Sequence, residues 1–119
     1  DRDGSVWGTG DYGKFFNFDP AAKMLTPLQI AVPCLPGREF MNVVDAFALA
    51  ADGTIYGGDS DGYLFCLDPK AATVRNLGKP LWQKRVRGLA VGKDGEGFDL
   101  ALRCAGALAR RGLRTASAF

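Results

Sequence analysis

Short apolar runs separated by glycine- and aspartate-rich segments recur along the first 95 residues. Four such runs follow one another in the middle of the chain, at residues 47–49, 54–56, 63–67 and 73–77. Asp52-Gly53 precedes the second run, and a glycine-rich segment separates the second from the third. Asp-Gly pairs are typical of hairpin turns, because glycine supplies the positive φ that such turns need. The pattern predicts four consecutive antiparallel β-strands.

The third run, Tyr63-Leu64-Phe65-Cys66-Leu67, is apolar on successive residues. A strand covered on one side alternates apolar and polar residues, so an unbroken apolar run indicates burial of both faces. No amphipathic helix pattern lies between the runs to supply such a cover. We therefore expect sheets that pack against neighbouring sheets on both sides.

An internal repeat organises the chain. Residues 3–22 recur as residues 52–71 at an offset of 49, with 8 identities in 20 positions. A third copy begins where residues 86–95 match residues 44–53 at an offset of 42. We place the difference between the offsets in a longer loop that begins at Val32. Periods in this range are close to the length of a four-stranded propeller blade.

The order of these motifs resembles a known family. Each unit contains, in this order, an apolar strand, Asp-Gly, a β-branched-aromatic-Gly triplet and Gly-x-(Leu/Phe)-Phe-x-(Leu/Phe)-Asp-Pro. This order resembles bacterial β-propeller repeats of the Kelch, NHL, streptogramin-lyase and gluconolactonase type. The resemblance covers roughly residues 3–95. It implies an all-β fold built of four-stranded antiparallel propeller blades, incomplete in this fragment. The implied units are a partial blade with its last three strands (1–31), an inter-blade loop (32–42), a complete blade (43–79) and the first strand of the next blade (80–95).

Residues 96–119 depart from the repeat. Leu100, Arg103, Ala107 and Arg111 give no clean apolar face, so we expect an irregular or weakly helical C-terminal tail. The sequence leaves its origin open between an altered reading frame, an artificial terminus and a terminal cap.

Candidate site residues follow from the resemblance, which places propeller sites at loops around the innermost strands. Four polar residues lead into the predicted inner strand, with the last two favoured: Arg38, Glu39, Asn42 and Asp45. In gluconolactonase-like enzymes, Glu, Asn and Asp bind a divalent metal through oxygen, so the resemblance raises a divalent metal as a possible cofactor. The alternative is that all four are solvated loop residues. No catalytic or cofactor-binding residue is predicted.

Two further motifs have structural explanations. Asp59-Ser60-Asp61-Gly62 lacks the spaced third Asp and the distal Glu of an EF-hand, so we predict a turn there rather than a calcium loop. Trp7 and Tyr56 occupy equivalent repeat positions, and we expect them to pack between blades.

Composition and charge limit the kinds of partner and site that we expect for this chain. Residues 1–95 carry 11 basic and 11 acidic side chains, and we attribute the local cluster of Lys84, Arg85 and Arg87 to a solvated loop, so no nucleic acid is expected. The sequence contains no run of about 18 apolar residues, so it predicts no membrane-spanning helix. The chain has no His, the commonest general base. Cys34, Cys66 and Cys104 are too widely spaced for a zinc site.

An incomplete propeller leaves an apolar blade face bare, so the expected partners are the remaining blades of a longer chain or other copies of this one. Three functional hypotheses remain at this point. The first is that the chain is part of a scaffold that binds a ligand or a protein. The second is that it is part of a propeller enzyme of the lyase or lactonase type with a metal in its channel. The third is that the fragment has no function of its own.

Overall fold

A computed structural model describes residues 1–79, 85–91, 97–101, 105–110 and 112–118, with side chains described up to residue 91. These residues form three sheets and one short 3-10 turn at Asp11–Gly13. The first sheet contains β1 (Val6–Thr9), β2 (Lys14–Asp19) and β3 (Met24–Ala31). The second contains β4 (Val44–Leu49), β5 (Ile55–Asp59), β6 (Leu64–Asp68) and β7 (Thr73–Gly78). The third contains β8 (Gly88–Val91), β9 (Gly97–Ala101), β10 (Ala105–Arg110) and β11 (Gly112–Ala118).

Each sheet is an antiparallel meander in which consecutive strands are neighbours. The second sheet has the order β4-β5-β6-β7, and its strands fall on the four apolar runs predicted from the sequence. The all-β, antiparallel class is therefore confirmed. The described sheets do not close into a ring, so their arrangement as propeller blades stays a prediction.

The hairpins β1-β2 and β5-β6 have the same register at an offset of 49. Gly8 pairs with Phe16 as Gly57 pairs with Phe65. The turns correspond as well, since Lys23 and its equivalent Ala72 both have positive φ, at 53° and 52°. The internal repeat of the sequence thus corresponds to matched backbone geometry in these two hairpins.

The main apolar core lies between the first and second sheets. Phe15 on β2 meets Phe65 on β6 edge to face, with ring centroids 5.7 Å apart. Ile55 and Leu67 are buried in the same cluster, and Trp7 packs against it from β1. Trp7 therefore packs between the first two sheets. The packing of Trp7 and Tyr56 between propeller blades stays a prediction.

A second cluster covers the opposite face of the second sheet. Leu64 packs there against Val86, which precedes β8, and Leu77 and Leu89 join them. Because Leu64 and Phe65 are adjacent in one strand, their side chains point to opposite faces. The apolar run on β6 is thus explained by burial on both sides, as expected.

The prediction of an irregular or weakly helical tail is wrong for the described residues, which form β9, β10 and β11. Val91 pairs with Gly97 across five intervening residues, the same spacing that joins Leu49 to Ile55. The edge of β8 therefore continues the hairpin pattern of the second sheet. Gly97, Gly106 and Gly112 oppose a helix, because each costs about 1 kcal/mol relative to alanine in a helix interior.

Candidate functional site

The candidate site lies at one end of the second sheet, where two segments meet. The first is residues 32–43, which connect β3 to β4, and the second is residues 59–63, the turn between β5 and β6. We call their contact the polar junction. The turn forms at Asp59-Ser60-Asp61-Gly62 as predicted, with Gly62 at a φ of 88°.

Asn42 is buried at the centre of the polar junction, with 3% of its surface exposed. Its Nδ2 donates to the carbonyl of Pro33 at 2.9 Å and to Oδ2 of Asp59 at 3.3 Å. Its Oδ1 accepts from the Ser60 hydroxyl at 2.9 Å. The side-chain amide therefore joins residues 32–43 to the 59–63 turn.

Asp59 has no solvent exposure. Its Oδ1 accepts two backbone N–H groups, from Asp61 and Tyr63, each at 2.9 Å. Burial raises the pKa of Asp59 to about 6, because the loss of hydration outweighs the hydrogen bonds that favour the charged form. The fold therefore holds a carboxyl group that changes its charge near neutral pH.

Asp61 and Arg38 form the second connection of the polar junction. The Arg38 Nε donates to Oδ1 of Asp61 at 2.8 Å, and the Leu35 N–H donates to Oδ2 at 3.2 Å. The Asp61 side chain is 3% exposed and that of Arg38 is 43% exposed. One buried carboxylate thus holds residues 35 and 38 in place while the guanidinium reaches solvent.

The other two predicted site residues lie apart from this cluster. Asp45 binds Arg85 through two bonds of 2.7 Å, which tie β4 to the segment before β8 and raise the pKa of Arg85. Glu39 is exposed and accepts from the Gly37 N–H at 3.3 Å. The structure therefore brings Arg38 and Asn42 into hydrogen bonds with the 59–63 turn, whereas Glu39 bonds within residues 32–43 and Asp45 bonds Arg85.

Sequence reasoning missed the two acidic residues of the junction, Asp59 and Asp61, as site residues. Their equivalents in the first unit are Gly10 and Tyr12. The backbone bond that closes the turn, from Asp59 N to Tyr63 O, recurs from Gly10 N to Lys14 O. The turn therefore forms without the carboxylates. The signal that could have found them is a carboxylate at positions 59 and 61, where the equivalent positions of the first turn hold glycine and tyrosine.

The hydrogen bonds of the polar junction hold its side chains in fixed positions at the protein surface. Among residues with described side chains, no group of three His, Cys, Asp or Glu is placed to hold a metal ion. Burial, followed by the nearby Glu39 carboxylate, raises the pKa of the Cys34 thiol, which disfavours the reactive thiolate. The divalent metal stays a prediction that depends on the family resemblance.

Exposed apolar side chains surround the junction on residues 32–43. Phe40 and Met41 expose 66% and 53% of their surface, and Leu35 and Val43 are also exposed. The N–H groups of Met41 and Asn42 both donate to the Arg38 carbonyl, at 2.9 and 3.1 Å. A locally closed turn thus presents two large apolar side chains beside the Arg38–Asp61 pair.

Comparisons with known proteins give a similarity of fold. No protein-family model and no curated protein matches the chain. A crystal structure of the extracellular domain of a proposed one-component system from B. thetaiotaomicron matches with a TM-score of 0.62 and 18% identity. The match covers 85% of this chain and 12% of that one. In the described part of the chain, no helix is long and apolar enough to cross a membrane.

Proposed function

We propose that the chain is part of a β-propeller-type scaffold that binds a ligand or a protein partner, with each sheet serving as a blade. The observation that carries this proposal is the cover of the second sheet on both faces by sheets of the same meander. Equivalent strands are neighbours across these contacts, β4 with β8 and β3 with β7. Inner strands next to inner strands and outer next to outer are what stacked blades require.

The choice of sheet face that contacts the next sheet supports the same proposal. Phe15 of the first sheet meets Phe65 of the second, and Leu64, the equivalent of Phe15, meets Val86 beside the third. Each sheet thus uses the same face to contact the next one along the chain. A constant sense of contact generates a ring or a helix rather than a closed pair of sheets.

A binding role is favoured by the polar junction. Its buried carboxylates accept hydrogen bonds from backbone and side-chain groups of the same junction, which fixes the shape of residues 32–43. Phe40 and Met41 lie exposed on this fixed segment. Exposed apolar residues on an ordered segment are typical of contact surfaces, because little entropy is lost when a partner covers them.

An experimental structure of a polypeptide that contains residues 1–119 tests the scaffold proposal. We expect the sheets to radiate from a common axis, with β4 and β8 nearest to it. A flat stack in which the inner strands do not converge would contradict the proposal.

Backbone amide NMR tests the binding proposal. The 15N-labelled chain is titrated with monosaccharides and with short apolar peptides, and we expect at least one to shift the amides of residues 33–43. Phe40→Ser should abolish that shift, whereas Met24→Ser, a change at an equally exposed residue on β3, should leave it intact. Shifts confined to other segments would count against the polar junction as the binding surface.

A further inference from the structure

The polar junction contains a buried carboxyl group that its turn does not need in order to form. The equivalent turn of the first sheet has glycine and tyrosine in place of Asp59 and Asp61, and it closes with the same backbone bond. Asp59 has no exposed surface, and burial of a carboxyl group is costly because its charged form loses hydration. The fold therefore retains Asp59 at a cost that closure of the turn does not explain.

Asp59 lies where residues 32–43 attach to the second sheet. Its Oδ2 accepts from Asn42 Nδ2 at 3.3 Å, while its Oδ1 accepts two N–H groups of its own turn. Asn42 also accepts from the Ser60 hydroxyl. Two more bonds join Ser60 to Val43, at 2.9 and 3.2 Å. The attachment of the segment to the turn thus surrounds one buried carboxyl group.

The elements around Asp59 give its carboxylate no compensating positive charge. Their charged and titratable groups are Cys34, Arg38, Glu39, Asp45, Asp61, Tyr63, Lys79, Arg85 and Arg87. Arg38 pairs with Asp61, Arg85 pairs with Asp45, and Lys79 lies over the Tyr63 ring. Arg87 is exposed, and its neighbour Val86 donates to the Asp59 backbone carbonyl. In the part of the chain with described side chains, the Asp59 carboxylate therefore has no basic partner, and Asp61 adds a like charge.

Ionisation of Asp59 disfavours the closed junction. Burial is the main cause and the Asp61 charge a smaller one, and they raise the pKa of Asp59 to about 6 despite its three hydrogen bonds. When residues 32–43 move away from the turn, water reaches the carboxyl group and the charged form is no longer disfavoured. The attachment is therefore strongest below pH 3.8 and weakens as the pH rises through about 6.

We propose that Asp59 controls the attachment of residues 32–43: its neutral carboxyl group holds the segment on the 59–63 turn, and its ionised form releases it. The inference rests on the binding role proposed for the polar junction and names the regulation of that site. In acid, Phe40 and Met41 are presented in one arrangement. At higher pH the segment opens more often, so a partner binds more weakly because its binding must also close the segment.

Hydrogen exchange of the 119-residue protein tests this control without any ligand. The N–H groups of Leu35, Arg38 and Asn42 bond within the junction and report its opening. We expect their protection, corrected for intrinsic exchange, to fall about fiftyfold from pH 4 to pH 7, as pKa values of 3.8 and about 6 require. Their protection should stay below that of the β6 amides, because a local opening needs less free energy than global unfolding.

Matched variants assign the effect to Asp59. Asp59→Asn should remove the fall, because an amide does not ionise. Asp68→Asn should keep it, since Asp68 also accepts two backbone N–H groups but is exposed. Asn42→Ala leaves Asp59 in place and removes its bond to the segment, so protection should already be low at pH 4 and change little up to pH 7. The amides of Gly10 and Gly13, in the matched turn without carboxylates, should show no such fall.

Equal protection at pH 4 and pH 7, or an unchanged fall in the Asp59→Asn protein, overturns the inference. So does protection of residues 35–42 equal to that of β6 at every pH, which would assign the effect to global unfolding. The outcome is separable from that of the proposed function. Opening that depends on pH, with no ligand that shifts residues 33–43, would refute the binding role alone. A ligand that shifts them, together with exchange independent of pH, would refute the regulation alone.

Discussion

At the scale of single residues, Asp59 combines full burial with three hydrogen bonds to its carboxylate. Burial raises its pKa in the folded chain to about 6, from 3.8 when it is exposed. The folded state therefore holds this proton more tightly than the unfolded state does. The resulting stabilisation is complete below pH 3.8 and is lost as the pH rises through about 6.

Replacement of Asp59 by Asn should remove this dependence. Between pH 4 and pH 8, the wild-type free energy of unfolding should fall by about 2.4 kcal/mol relative to that of the Asp59→Asn protein, since one pKa unit corresponds to about 1.4 kcal/mol and the unfolded carboxyl is already more than half ionised at pH 4. Urea unfolding of both proteins across this range measures the difference. Parallel curves for the two proteins would show that Asp59 is charged in the fold at no cost.

Sequence reasoning located part of the polar junction. Arg38 and Asn42 could be selected because the family resemblance places sites at loops that lead into inner strands, and both residues precede such a strand. Their partners Asp59 and Asp61 were missed, because aspartate is common in turns for local reasons and turn chemistry alone accounted for both. The Arg38–Asp61 and Asn42–Asp59 bonds join residues 23 and 17 positions apart, and the pairing of β4 with β5 brings the two segments together.

At the scale of elements, a glycine lies opposite a phenylalanine in each of the matched hairpins. The Phe16 ring covers Gly8, and the Phe65 ring covers Gly57. An added Cβ on Gly8 would be 2.6 Å from Cζ of Phe16, and one on Gly57 would be closer still to Phe65. The glycines thus allow the rings to lie on the backbone of the neighbouring strand.

Gly57→Ala should therefore destabilise the protein by about 1–3 kcal/mol, because the buried Phe65 ring cannot move without disturbing the core. Gly10→Ala is the matched control, since its φ is −112° and no described atom lies within 4 Å of an added Cβ. It should change stability by less than about 0.5 kcal/mol. Equal effects in urea unfolding would mean that ring contact is not what requires glycine at residue 57.

Some strands can be predicted from the local sequence pattern, whereas others form because they pair with a neighbouring strand. The runs in β5 and β6 are apolar, flanked by Asp-Gly and Asp-Pro, and local pattern predicted them. The tail has no such pattern, and its strand β9 pairs with β8 in the register that β5 has with β4. Because β9 forms by pairing with the edge of β8, the sequence of residues 97–101 alone does not indicate a strand.

At the scale of the whole molecule, the face of the first sheet opposite the core is apolar and without a described neighbour. Val6 pairs with Phe18, and Phe18 pairs with Leu25, so the three side chains form a row across one face. Val6 and Leu25 are more than half exposed. The equivalents of Val6 and Phe18 in the second sheet, Ile55 and Leu67, are buried in the main core.

Sedimentation velocity should therefore detect association of the 119-residue chain. The double variant Val6→Ser and Leu25→Ser should weaken the association about tenfold or more, because roughly 1.5–3 kcal/mol accompanies burial of each such side chain. Met24→Ser is the control, since residue 24 is equally exposed but its side chain alternates to the other face of β3. A wild-type chain that sediments as a monomer at all concentrations would contradict this expectation.

Equivalent positions are 49 residues apart between the first and second sheets and 42 apart between the second and third, so the first interval is longer by seven residues. Doubling the length of a loop costs only about 0.6 kcal/mol in closure entropy, so a longer connection between the sheets destabilises the fold only slightly. Side chains of the extension, such as Asn42 and Arg38, fasten it to a turn that already exists. Insertions between sheets can therefore give related chains new surfaces during evolution while the stacked framework beneath them stays the same.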